Sequence, residues 1–88
     1  MALLVKSDGS KEEVEVPAKG SLDFLQKTVG GYIEFAPCKN AEYSGAICDE
    51  EGKLKGKPMN EEATRMSGLS PYDVLVGDVL FFKEGEVD

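Results

Sequence analysis

The segment from Leu22 to Phe35 constrains the fold more than any other part of the chain, because a helix and a strand meet there across two glycines. Leu22, Leu25 and Val29 fall at i, i+3 and i+7, which makes one apolar stripe on a helix. Ser21 is placed to cap that helix, with Asp23 in the first turn and Lys27 near the C-terminal end, both complementing the helix dipole. Gly30-Gly31 stops it, since glycine takes the left-handed conformation that a helix C-cap requires. Tyr32-Ile33-Glu34-Phe35 then reads as a strand by its β-branched and aromatic content, closed by Pro37.

The flanks extend this pattern. Upstream, Leu3-Leu4-Val5, the turn formers Ser7-Asp8-Gly9-Ser10, and Val14 and Val16 alternating with Glu13 and Glu15 predict a β-hairpin over residues 2 to 16. Downstream, Ala46-Ile47-Cys48 reads as a strand, Glu50-Glu51-Gly52 as a turn, and Lys53-Leu54-Lys55 as a second hairpin arm. Asn60 is an N-cap signal for a short helix ended by Gly68. Val74-Leu75-Val76 and Val79-Leu80-Phe81-Phe82 read as two strands about a tight turn at Gly77-Asp78, or as one long strand with a glycine bulge. The prediction is an α+β fold in two layers, a mostly antiparallel sheet with two short helices in the order β-β-α-β-β-β-α-β-β. A single domain covers 1–88, ordered from about residue 2 to 83, with the tail 84–88 frayed.

Charge and composition exclude several functions. The chain has 17 acidic and 10 basic side chains, a net charge of −7, with Arg65 the only arginine. Duplex nucleic acid is repelled by that field. The chain contains no histidine, which removes His-based nucleophile activation, His metal ligands and His proton shuttling. No carboxylate or lysine pair stands out as a replacement, so no enzyme, cofactor or metal is expected. The apolar stretch before Lys6 is five residues long, too short for a signal-peptide core or a membrane span. A cytoplasmic, or host intracellular, location is the expectation.

Candidate sites are few. Lys53, Lys55 and Lys57 would project from one face of a strand beside Gly52 and Gly56, a row able to hold a phosphorylated ligand or to guard a strand edge. Three residues separate the glycines and Pro58 follows Lys57, which rules out a nucleotide-hydrolysing phosphate loop. Asp49-Glu50-Glu51 lacks the ligand spacing of a calcium loop and reads as a solvated turn. Cys38 and Cys48 flank one loop and would face each other if the strands paired that way, although free thiols fit an intracellular chain better. Tyr32, Phe35, Tyr43, Tyr72, Phe81 and Phe82 read as core and rim. Phe81 and Phe82 are adjacent, so on a strand they point to opposite faces. If only one face is covered by helices, one of the two is solvent-exposed or lies in a subunit interface, and a homo-oligomer is the expectation.

The residues Leu25 to Glu34, Glu51-Gly52-Lys53-Leu54-Lys55-Gly56, Asn60 with Ala63-Thr64, and Val76-Gly77-Asp78-Val79 together resemble a family of small domains without an assigned activity. Those domains are encoded mostly by phages, plasmids and other viruses. The resemblance covers residues 2 to 82, and Lys57 departs from it where an apolar residue is expected. It implies a virus- or mobile-element-encoded accessory protein that binds a host protein; the alternative is a sponge for a phosphorylated nucleotide or second messenger at a subunit interface. The hairpin, helix and strand at the start also resemble the opening of a ubiquitin-like grasp fold, a likeness that carries no function.

Overall fold

The computed structural model describes residues 1–69 and 73–87. Its elements are β1 (Ala2–Val5), β2 (Lys11–Val14), α1 (Ser21–Val29), β3 (Ile33–Ala36), β4 (Gly45–Asp49), α2 (Glu61–Ser67) and β5 (Val79–Phe82). The five strands form one sheet in the order β2-β1-β5-β4-β3, antiparallel at every step. The α+β class, the antiparallel sheet and the two helices are those expected. So is the opening hairpin, after which β5 inserts between β1 and β4. The hairpin turn is held by the Asp8 carboxylate, which accepts from the Ser10 amide at 2.8 Å and its hydroxyl at 2.6 Å.

Strand alternation divides the apolar side chains into two cores. Ala2, Leu4, Ile47 and Leu80 point to one face and pack with Leu25 and Val29 of α1. Val5, Ala46, Cys48, Val79 and Phe81 point to the other and pack with Ala63 of α2 and with Leu75. Phe81, Leu25, Ile47 and Leu80 are each at most 1% exposed, a burial that stabilises by roughly 1.5–3 kcal/mol per side chain. The helices thus lie on opposite faces, and the sheet is the middle of three layers rather than one of two.

Several local expectations need correction. Lys53-Leu54-Lys55 is a run of turns, not a strand, because each turn amide finds a carbonyl close by: Lys55 N–H donates to Glu51 O at 2.9 Å and Lys57 N–H to Gly52 O at 3.0 Å. In 74–76 only Val76 pairs, through an isolated bridge to Met59. Ser21 is the first helical residue and not the cap; Gly20, with φ 71°, precedes the helix without a side-chain cap bond. Leu22 points outward and is 55% exposed. The tail is docked instead of frayed through Val87: Glu86 accepts the Lys83 amide at 2.6 Å and pairs with the N-terminal amine at 3.0 Å, and Val87 packs on the α1 core.

Candidate functional site

The segments singled out in the sequence converge on one place, the end of α1. Asp49 closes β4 with its side chain turned toward α1 and only 1% exposed. Lys55 and Lys57 reach it from the following turns at 2.9 and 2.7 Å, and the Glu51 amide donates to its other oxygen at 2.9 Å. The same ammonium groups donate to the last carbonyls of the helix, Lys57 to Val29 O at 2.7 Å and Lys55 to Gly30 O at 3.2 Å. Cations there complement the helix dipole. Burial pulls the Asp49 carboxyl upward, but the hydrogen bonds from Lys55, Lys57 and the Glu51 amide outweigh it and hold the group down at about 2. Gly31 is required by proximity, since a Cβ there would lie 2.6 Å from both Asp49 Oδ1 and Lys55 Nζ.

A second buried knot holds the other face. Asn60 is fully buried and caps α2 by accepting from the Ala63 amide at 3.0 Å, while its amide nitrogen donates to Val5 O at 2.9 Å and Gly77 O at 2.8 Å. Thr64 closes the circuit, donating to Asn60 O at 2.7 Å and accepting from the Leu75 amide at 2.9 Å. The Asn60-x-x-Ala63-Thr64 and Val76-Gly77-Asp78-Val79 segments are therefore structural partners.

This geometry rearranges the expected lysine site. Lys53, Lys55 and Lys57 are not an open row: the latter two clamp Asp49, and Lys53 turns away to pair with Asp73 at 2.8 Å. The Gly52 and Gly56 amides, which would have cradled a phosphate, donate instead to Asp49 O at 3.0 Å and Lys53 O at 3.2 Å. Phe81 cannot lie at an interface, because α2 and Leu75 cover its face and leave it 0% exposed. Phe82 is half-buried and meets Phe35 edge to face, with ring centroids 5.9 Å apart. With both faces covered, the reason for expecting self-association from this pair disappears. Tyr72 lies outside the described residues. Cys38 and Cys48 are both free; Cys48 sits opposite Glu34 in the ladder, so the two sulfurs do not face each other. Desolvation pushes the Cys48 thiol up to about 11, with the Glu34 and Asp49 charges adding to it.

What the sequence did not show is the outer edge of β3. The sheet ends in β2 on one side and β3 on the other. On β2, Lys11, Glu12 and Glu13 guard the edge with exposed charges. On β3, Glu34 is the sole charge. Around it stand Tyr32, Phe35, Leu54 and Val74, respectively 66%, 56%, 87% and 37% exposed. A groove of about 350 Å³ opens beside this edge, floored by Ala36, Cys48 and Leu75 and rimmed by Glu34, Leu54 and Val74. The signal available in the sequence was the contrast between the charged Lys11-Glu12-Glu13 strand and the apolar Ile33-Glu34-Phe35-Ala36 strand.

The fold and its surfaces define a small α+β domain built on a five-stranded antiparallel sheet, with its buried polar groups spent on holding the chain together. The chain belongs to the family described as Domain of unknown function (DUF3846), which matches it over residues 1–88. Neither a curated protein nor a solved structure matches it.

Proposed function

We propose that this chain is a small accessory protein that performs no catalysis and acts by binding another protein along the outer edge of β3. The observation that carries this reading is the asymmetry of the two sheet edges: β2 is charged, whereas β3 is flanked by four of the exposed large apolar side chains. A sheet edge of that kind is a template for strand addition. The resemblance of its motifs to domains encoded by phages and plasmids makes a host protein the partner in this reading, and the inside of the host cell its place of action. No helix among the described residues is long and apolar enough to cross a membrane. The phosphorylated-ligand alternative has less support, because all three lysines of the row are ion-paired within the fold.

The test is affinity purification from a lysate of host cells with the full chain, Phe35→Asp, and the β2-edge control Glu13→Ala. Proteins recovered by the parent and by the control should be lost with Phe35→Asp. Retention of every partner by Phe35→Asp would overturn the reading.

A further inference from the structure

The ladder between β3 and β4 settles which backbone groups the free edge presents. Glu50 N–H donates to Tyr32 O at 2.8 Å, so the Tyr32–Glu50 pair is of the hydrogen-bonded kind. Such pairs alternate along an antiparallel ladder. Glu34 and Ala36, paired with Cys48 and Ala46, therefore turn their N–H and C=O groups inward, and Ile33 and Phe35 turn theirs outward. Among the described residues, none bonds to those outward groups. Pro37 follows directly and ends the usable edge, since it has no N–H.

The side chains set a second condition. Phe35 and Ile33 project on the α1 side, where Phe35 touches Phe82. Glu34 projects on the opposite side, toward the groove, where Glu50 adds a second carboxylate and the Lys53–Asp73 pair cancels itself. Among the described residues neither Glu34 nor Glu50 has an ion partner. The α1 side of the edge is thus apolar, and the groove side carries two unpaired carboxylates beside the exposed Leu54 and Val74, on a chain of net charge −7.

We infer that the β3 edge receives an extended basic segment of another protein as a sixth strand, with alternate side chains apolar over Phe35 and lysine or arginine over Glu34 and the groove. The inference rests on the reading of this edge as a docking surface and names the chemistry of what docks. A second copy fits less well. In the self-pairing that uses Ile33 and Phe35 of both chains, Glu34 of one copy stands directly opposite Glu34 of the other, and like charges so placed destabilise a sheet. A basic strand turns the same position into a cross-strand ion pair. Only two residues offer outward backbone groups, so the side chains on either side of the edge carry the specificity.

The experiment is a fluorescence titration of the full chain with a short labelled peptide alternating lysine and valine. Its comparisons are a glutamate–valine peptide and a lysine–valine peptide interrupted by proline. The lysine–valine peptide should bind about tenfold or more tightly than either, which is a difference of about 1.4 kcal/mol, and should weaken as salt is added. Glu34→Lys should reverse the preference between the lysine and glutamate peptides. Phe35→Pro removes one outward N–H together with the ring that meets Phe82, leaves the β4 ladder bonds in place, and should weaken binding about tenfold with an unchanged circular dichroism spectrum. Equal binding of the lysine and glutamate peptides, or indifference to both variants, would overturn the proposal. A dimer in light scattering that Phe35→Pro dissolves would also overturn it, by making a second copy the occupant. If these titrations fail while lysate partners still depend on Phe35, the strand chemistry is wrong and the docking edge stands; if Phe35→Asp loses no partner, the edge itself is wrong.

Discussion

Lys57 and Asp49 meet at 2.7 Å with the carboxylate 1% exposed, and the same ammonium caps the last carbonyl of α1 at 2.7 Å. One side chain therefore ties the helix end, the end of β4 and the turns after it into a single unit. Replacing Lys57 by Met keeps most of the apolar stem and leaves Asp49 with one lysine. The expected loss in urea unfolding is about 2–3 kcal/mol, in the range for buried charged hydrogen bonds. Lys53→Ala removes a pair whose members are 58% and 54% exposed, and should leave stability nearly unchanged. Equal effects from the two substitutions would contradict the clamp.

The clamp also fixes a pH dependence. The Asp49 carboxyl is held at about 2, below its ordinary 3.8. Its contribution is thus fully present above 3.8 and is lost as pH falls toward 2. Glu62, held at about 2 by Arg65 and then Lys11, titrates in the same window, so Asp49→Asn does not flatten the profile. The stability gap between parent and Asp49→Asn should be constant at neutral pH and narrow below 3.8. Urea midpoints measured across that range check it.

Asn60 offers a sharper contrast. Asn60→Ala strands two carbonyls and one amide in the interior, and should cost about 2–4 kcal/mol. Asn60→Asp places a carboxylate against the carbonyls of Val5 and Gly77 and should be at least as damaging at neutral pH, recovering in part on acidification. Thermal melts of both variants at two pH values separate these outcomes.

Thiol labelling reads out the burial of Cys48. Cys48 is 7% exposed with its thiol pushed up to about 11, whereas Cys38 is half-buried. In the native protein Cys38 should label first and Cys48 only as the chain unfolds. Labelling at equal rates, or failure of both to label after denaturation, would contradict the placement.

Much of this fold was readable where one local signal decided the outcome. The Gly30-Gly31 stop, the Asn60 cap and the Gly68 end are backbone requirements that few residues meet, and all three stand in the structure as expected. Lys53-Leu54-Lys55 misled because alternation alone cannot tell a strand from turns whose lysines are drawn to a carboxylate. Asp49 looked like part of a solvated acidic turn because its burial is produced by α1, twenty residues upstream. Phe81 looked like an interface residue because the side on which α2 packs is a matter of topology, not of local pattern. The β3 edge was hidden for the same reason: which strands end a sheet is decided by the pairing order.

Amide hydrogen exchange tests the docking edge most directly. On addition of the lysine–valine peptide, the amides of Ile33 and Phe35 should become protected, while Lys11 to Val14 on the opposite edge and the Asp49 clamp keep their rates. Protection that falls on β2 or on the clamp, with Ile33 and Phe35 unchanged, would contradict the account.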